Sequence, residues 1–333
     1  MTTTVAVLGA GSWGTALAMQ LARNGHAVRL WSRDESQADT MQRQRINQRY
    51  LPDFKLAENI EISADLNVVM AEIDRVLVVT PSHAFSDMVT RIRSRLDADI
   101  GLAWACKGFE PGSGRLLHEA ASEILGPDIP LALISGPSFA KEVAAGLPTA
   151  VTAAASDSEF GEAWASLLHG SGFRAYYTAD LVGAELGGAI KNVMAVACGI
   201  ADGLKLGANT RAALITRGLA ETMRLGRAMQ ADPRTLTGLA GIGDLVLTCT
   251  GDLSRNRRLG IALGQGRSVD DAVAEIGQVV EGIKTARETM RLAERMNVDM
   301  PITEQVHGIL FKDWDARKGV RVLMERELKR ETE

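Results

Sequence analysis

Val5-Ala-Val-Leu-Gly9-Ala-Gly11-Ser12-Trp13-Gly14 is the stretch that decides how this chain is read. Its first four residues are apolar and predict a buried strand. Glycines follow, and then a helical pattern runs from about Trp13 to Asn24. A G-x-G-x-x-G spacing says little alone. Between a strand and a helix it describes a turn that receives the pyrophosphate of a dinucleotide. Gly9 makes the tight turn, Gly11 leaves room for the phosphates, and Gly14 lets the helix pack on the strand. The free N–H groups at the helix start attract the negative charge.

Working outward, Ala27–Trp31, Val76–Thr80, Gly101–Cys106, Leu131–Ser135 and Val151–Ala154 read as further strands, most of them separated by helical patterns. Alternating β and α segments predict an α/β domain, a doubly wound parallel sheet of the Rossmann kind. The strands lack polar alternation because both faces of such a sheet are covered. Beyond about residue 180 the texture changes to long helical stretches: 183–202, 210–230, 255–265, 269–276, 282–296 and 303–312. We therefore expect two domains, 1–180 for the dinucleotide and 181–333 all-helical.

The composition excludes several classes. The 333 residues carry a net charge of only −4, too small and too mixed for a general nucleic-acid or membrane-surface binder. With 46% hydrophobic residues the chain is not disordered. No apolar run approaches the roughly 18–20 residues of a membrane span, and no basic n-region precedes the first strand, so neither membrane insertion nor a leader is expected. The three cysteines, Cys106, Cys198 and Cys249, are far apart and odd in number. They suit neither a disulfide framework nor a metal site, and point to a reducing cytoplasm. Glycine, at 33 residues, exceeds the usual share of roughly 7% and signals close backbone approaches.

The second strand ends in Trp31-Ser32-Arg33-Asp34. An NAD site would place an acid at the strand end to hold the ribose 2′-hydroxyl. Arg33 stands there instead and suits a 2′-phosphate, which favours NADP(H). Asp34 follows one residue late, so NAD(H) stays compatible. Three more strands end in Thr80-Pro81-Ser82, Cys106-Lys107-Gly108 and Gly136-Pro137-Ser138-Phe139. Ligands bind outside the carboxyl ends of such strands, which brings these residues to the dinucleotide edge. Pro137 fits a first helical turn, leaving N–H groups and the Ser138 hydroxyl free for a ligand.

Lys191, in a predicted helix, shares its face with Ala184, Gly187, Gly188, Ala195 and Cys198. None is anionic, so its ammonium has no partner on its own helix. If buried, its pKa falls, which suits acid–base work; the alternative is a helix contact with the lysine reaching water. Gly238-Leu-Ala-Gly241-Ile-Gly243-Asp244 imitates a dinucleotide loop, but no strand precedes it. It reads as a tight turn presenting Asp244. Ser254-Arg255-Asn256 at a helix start offers hydroxyl, guanidinium and amide donors for a phosphate; a capped helix with solvated arginines is the plainer reading.

These motifs, with Gly136-Pro-Ser-Phe-Ala-Lys-Glu142, Lys191-Asn192, Ala213-Leu-Ile-Thr-Arg-Gly-Leu-Ala220 and Val279-Val-Glu-Gly282, together resemble the bacterial-type NAD(P)-dependent glycerol-3-phosphate dehydrogenases, from Gly9 to about Thr303. The resemblance implies reversible reduction of dihydroxyacetone phosphate to sn-glycerol 3-phosphate, the glycerophospholipid backbone. It implies a helical domain like that of 6-phosphogluconate dehydrogenase, a homodimer, and Lys191 and Lys107 as catalytic residues. Lys107, Gly136, Ser138, Lys191, Asp244, Ser254, Arg255 and Asn256 would line the substrate site. Gly9, Gly11, Ser12, Trp13, Gly14, Arg33, Tyr50, Lys107, Ala140, Arg255, Val279 and Glu281 would touch the cofactor. Asp244 and Asn192 would orient the lysine or the substrate hydroxyl, and which does which stays open. Two rival readings remain. A reductase of this architecture acting on a 2-keto or 3-hydroxy acid would not require Ser254-Arg255-Asn256. A silent NADP-binding sensor would have no need of Lys107 and Lys191 together.

Overall fold

The computed structural model describes residues 2–170, 172–328 and 330. Its strands are β1 (Thr4–Leu8), β2 (Ala27–Trp31), β3 (Ile46–Asn47), β4 (Leu51–Lys55), β5 (Ile60–Ser63), β6 (Arg75–Val78), β7 (Leu102–Trp104), β8 (Leu131–Ser135), β9 (Thr149–Ala155) and β10 (Phe173–Thr178). Eight form one sheet in the order β10-β9-β8-β7-β6-β1-β2-β5, while β3 and β4 make a small antiparallel pair. Strand order reverses around β1, placing the Gly9 turn at the crevice where such sheets bind ligands.

The central strands are apolar throughout because each face meets its own layer. Val5, Val7, Leu77 and Ile134 belong to one core cluster. Ala6, Leu8, Val76, Val78 and Leu133 belong to the cluster on the opposite face. β5 and β10, absent from the sequence reading, are the two edges of the sheet. An edge strand buries less, and β10 accordingly mixes Phe173 with Arg174, Tyr176 and Tyr177.

The sheet departs from the all-parallel expectation at one place: β9 pairs antiparallel to β8, and β10 runs parallel to β9. The link from β8 to β9 contains only the five-residue helix Ala140–Ala144. At about 1.5 Å per residue it covers roughly half the length of β8, too little to carry the chain back for a parallel return. The link therefore stays at the carboxyl edge, where Gly136, Ser138 and Ala140 are wanted.

Three residues after β10 the helix Leu181–Gly203 begins, N-capped by Asp180 through the Gly183 amide. It is long enough to cross a bilayer, with a mean hydropathy of 1.3 in its most apolar window, although the sequence reading saw no such run. Its apolarity belongs to the core: 89% of that window is buried inside the protein. Against it lies the helix Arg255–Gly264. A methyl group on Gly199 would sit 2.1 Å from the Arg257 carbonyl oxygen, and one on Gly260 2.1 Å from that of Val196. The two backbones touch, so the Lys191 helix and the Ser254 helix start share one rigid unit.

Candidate active site

The dinucleotide turn takes the shape that its glycines predict. Gly9 has φ +132°, and a methyl there would meet the Val79 carbonyl oxygen at 2.5 Å. At Gly14 a methyl would lie 1.9 Å from the Gly9 carbonyl oxygen. Gly11 differs: nothing lies within 4 Å of where its Cβ would be. No protein contact demands glycine there, and the space beside it is a cradle at the N-terminus of the helix Ser12–Arg23, which no side chain caps. Trp13, next in the same helix start, has a buried indole N–H without a protein partner. These features fit a dinucleotide phosphate.

Around the cradle, Ser12 Oγ donates to the Tyr50 carbonyl at 3.4 Å. Asn47, buried in β3, donates to the Ala10 carbonyl at 3.0 Å and to Thr15 Oγ at 2.8 Å. Asn47 fastens the turn and escaped the sequence reading, because its partners lie 32 and 37 residues away. Arg33 is exposed just past β2. Asp34 accepts the Gln37 amide at 3.0 Å as N-cap of the helix Glu35–Gln44, so its carboxylate is already engaged.

The second cluster joins four elements. Lys107, after β7, donates from Nζ to Asp244 Oδ2 at 2.7 Å and to the Gly136 carbonyl at 3.0 Å. Lys191 Nζ binds the other oxygen, Asp244 Oδ1. Asp244 is 1% exposed and Lys191 9%. Thr248, one turn after Asp244, donates to its carbonyl at 2.6 Å and lies 3.3 Å from Oδ1. Thr248 too was missed; its i+4 spacing from Asp244 was the available signal.

Burial dominates the Lys191 ammonium and lowers its pKa to about 8; Asp244 opposes this fall and the Lys107 charge adds to it. Burial works against the Asp244 carboxylate, yet Lys107 and then Lys191 outweigh it and hold its pKa below the usual range. Lys191 is buried and has no anion on its own helix; Asp244 supplies one from another helix.

Gly187 and Gly188 permit this approach. A methyl on Gly187 would strike the Ala240 carbonyl oxygen at 2.5 Å, and one on Gly188 would lie 2.9 Å from Ser135 Oγ. Asp244 opens the helix Asp244–Thr250, directly after a π-helical turn at Leu239–Gly243 rather than a tight loop. Pro137 is not in a helical turn: the helix starts at Ala140 with Phe139 as N-cap. Ser138 Oγ donates to the Gly136 carbonyl at 3.1 Å.

The Ser254 group is a helix start, as read. Ser254 accepts the Arg257 amide at 3.2 Å as N-cap. Arg255 is exposed, with Gln278 Oε1 at 3.5 Å from its guanidinium and Glu281 and Tyr50 within electrostatic reach. Asn256 spends one of its two side-chain N–H donors within the protein. Its Nδ2 donates to Asn192 Oδ1 at 2.8 Å and its Oδ1 accepts the Gly282 amide at 2.9 Å. Asn192 therefore braces the helix start, and Asp244 is the carboxylate that both lysines share. Glu281 accepts the Ser82 hydroxyl at 2.8 Å, while Val279 is 42% exposed. Among the described residues, no three His, Cys, Asp or Glu side chains gather to hold a metal ion.

Comparison with known proteins places this geometry. The profile described as "NAD-dependent glycerol-3-phosphate dehydrogenase N-terminus" matches residues 4–161, and that of the C-terminus matches 180–321. The chain belongs to the NAD-dependent glycerol-3-phosphate dehydrogenase family. A Xanthomonas euvesicatoria relative named glycerol-3-phosphate dehydrogenase [NAD(P)+] is 56% identical over 98% of this chain and 96% of its own. A Stenotrophomonas maltophilia relative of the same name is 55% identical over the same shares. The crystal structure of glycerol-3-phosphate dehydrogenase from Coxiella burnetii superposes with a TM-score of 0.94 at 48% identity, over 98% of this chain and 99% of that one. The two profiles cover the sheet-bearing and the helical parts of the chain in turn.

Proposed function

We propose that this chain interconverts dihydroxyacetone phosphate and sn-glycerol 3-phosphate with NAD(P)H, supplying the glycerophospholipid backbone. The observation that carries the reading is the pair of ammonium groups on one buried carboxylate. Bound NAD(P)H supplies a hydride to the ketone carbon. Negative charge then develops on the carbonyl oxygen, and the Lys191 and Lys107 ammonium groups would stabilise it in a water-poor site. Lys191 would donate the proton at that oxygen; a pKa of about 8 suits it to give and take protons near neutrality. Asp244 would hold both lysines in place. Arg255, Ser254 and the free amides of the helix start would bind the phosphate, with Gly136 and Ser138 beside the triose.

Gly9, Gly11, Ser12, Trp13, Gly14, Arg33, Tyr50, Lys107, Ala140, Arg255, Val279 and Glu281 make up the cofactor side of this reading. Arg33 at the strand end, with Asp34 spent on a helix cap, supports a preference for NADP(H). We further take 1–180 and 181–333 as the two domains; the limits 1 and 333 lie outside the described residues. A homodimer and a cytoplasmic location complete the proposal. Exposed Val322 and Met324 on the helical part leave apolar surface for a partner, and three buried free thiols suit a reducing compartment.

The test follows oxidation of NADPH and of NADH with dihydroxyacetone phosphate as sole substrate, for the wild type, Lys191→Ala and Arg33→Ala. We expect wild-type turnover, a roughly 10²–10⁴-fold loss of kcat in Lys191→Ala with cofactor binding intact, and a raised KM for NADPH only in Arg33→Ala. No turnover by the wild type rejects the activity. An unchanged NADPH/NADH ratio rejects the preference.

A further inference from the structure

The helix Glu281–Met296 carries Glu281, Glu288 and Arg295 seven residues apart. That spacing keeps them within about 20° per step of a single stripe. Each grips a different point of the sheet-bearing part. Glu281 holds the Ser82 hydroxyl. Glu288, 5% exposed, accepts the Gly112 amide on one oxygen and the Gly114 amide on the other, both at 3.1 Å. Arg295 donates to the Ser113 carbonyl at 3.0 Å and the Gly114 carbonyl at 3.3 Å. A methyl on Gly114 (φ +64°) would sit 3.2 Å from the Glu288 carbonyl oxygen, so loop and helix backbones nearly touch.

The gripped segment is a closed unit. Phe109 and Leu116 pair as an antiparallel bridge, and the Glu110 amide donates to the Arg115 carbonyl at 2.9 Å. The Glu110 carboxylate takes Arg115 Nε at 2.8 Å and Ser113 Oγ at 2.7 Å. This hairpin begins two residues after Lys107. The intervening Gly108 is confined as well: a methyl there would lie 2.9 Å from the Ser82 side chain, which Glu281 holds. When the hairpin shifts, Lys107 must shift with it.

We propose that Glu288 is a positioning residue for Lys107, fixing the 109–116 hairpin and thereby the ammonium that shares Asp244 with Lys191. The inference rests on the reductase reading above. Two amides aimed at two oxygens of one side chain require a carboxylate. Glutamine would turn an NH2 group against one of them and lose one of the two bonds that fix the loop, at the buried Gly114 amide or at the more exposed Gly112 amide. Arg291, at 2.9 and 3.0 Å from the two oxygens, balances the charge without replacing either bond.

The experiment measures kcat, KM, pH–rate profile and Tm for the wild type, Glu288→Gln, Lys107→Ala and the double variant, with dihydroxyacetone phosphate and NADPH. Glu288→Gln should lower kcat about ten- to a hundredfold with little change in KM for NADPH. Its alkaline limb should move to higher pH, because a displaced Lys107 no longer opposes the charge on Lys191. In the Lys107→Ala background the same substitution should cost far less, the mark of two residues acting as one. Arg295→Gln loosens the same hairpin, should act in the same direction, and is the readout if Glu288→Gln fails to fold. A lower Tm with wild-type kcat and alkaline limb, or additive losses, overturns the proposal. A wild type without turnover removes the reductase reading and this inference with it; turnover with an indifferent Glu288→Gln removes this inference alone.

Discussion

Lys191 meets Asp244 as a buried ion pair, with the carboxylate's second oxygen taken by Lys107. Two cations on one anion leave a net positive charge where a ketone oxygen would gather negative charge. Burial, with the Lys107 charge adding to it, lowers the Lys191 pKa to about 8. Ketone reduction needs the protonated lysine, so its rate should fall as pH rises through about 8. Oxidation of glycerol 3-phosphate needs the neutral amine, so its rate should rise through the same window. Initial rates in both directions across pH 6 to 10, on the order of one determination per half unit, check this. Limbs of the same sign in both directions would remove Lys191 from the proton transfer.

Asp244→Asn separates holding the lysines from merely filling space. Amide for carboxylate keeps the volume but leaves two ammonium groups unbalanced. Removing one partner of a buried ion pair costs about 3–5 kcal/mol, so Tm should drop by many degrees. Lys191, with burial no longer opposed by the anion, should titrate below about 8, carrying the alkaline limb of reduction to lower pH. An unmoved limb would mean that Asp244 does not govern the lysine.

The two glycines of the dinucleotide turn should fail differently. Gly14→Ala forces a methyl to within 1.9 Å of the Gly9 carbonyl oxygen and should lower Tm. Gly11→Ala meets nothing within 4 Å and lies in extended backbone, φ −76°, ψ −178°, so Tm should stay near wild type. Its methyl intrudes on the cradle, and KM for NADPH should rise about tenfold or more. Calorimetry with fluorescence titration of NADPH reads both. Unchanged cofactor affinity in Gly11→Ala would remove the phosphate from the cradle.

How much of this was legible beforehand follows from where each signal resides. The central strands announce themselves because both faces are apolar, whereas β5 and β10 sit at the edges and carry mixed residues. The small neighbours of Lys191 are local, so its face could be read along one helix. Its partner could not: Asp244 is 53 residues further on, and Lys107 reaches it across 137. The motif names Asn256 as a donor, but not that one of its two N–H groups goes to Asn192 and its oxygen takes the Gly282 amide. A motif names the donors; only packing shows what else they hold.

Arg255 is an exposed cation at the Ser254 helix start, and the phosphate assignment depends on it. Arg255→Ala should cut kcat/KM for dihydroxyacetone phosphate by about 10²-fold or more, as expected for a lost charge-assisted bond of roughly 3 kcal/mol. Unphosphorylated dihydroxyacetone should lose almost nothing. Equal losses on both substrates would move the phosphate elsewhere.

Glu221 offers a test of stability away from the chemistry. It is 1% exposed and accepts the Ile302 amide at 2.6 Å and the Thr303 amide at 3.2 Å, at the start of the helix Pro301–Phe311. Burial nevertheless outweighs those donors and raises its pKa to about 7, from 4.5. Between these values the folded chain keeps a proton that the unfolded chain has lost. Its contribution is therefore complete below 4.5 and is lost as pH rises through about 7. Glu221→Gln should flatten that part of the Tm–pH curve. A slope identical to wild type would show that the carboxyl is already ionised across the window.

The bare crossing of Gly199 over Gly260 limits how this enzyme can change. Most helix pairs are spaced by side chains, and one methylene more or less resets the gap. Here main chain lies on main chain, so no smaller residue can draw the helices closer, and any larger one must push them apart. The span from the lysine to the proposed phosphate seat is thereby held like a fixed gauge. A descendant accepting a longer substrate would have to find the extra length in its loops.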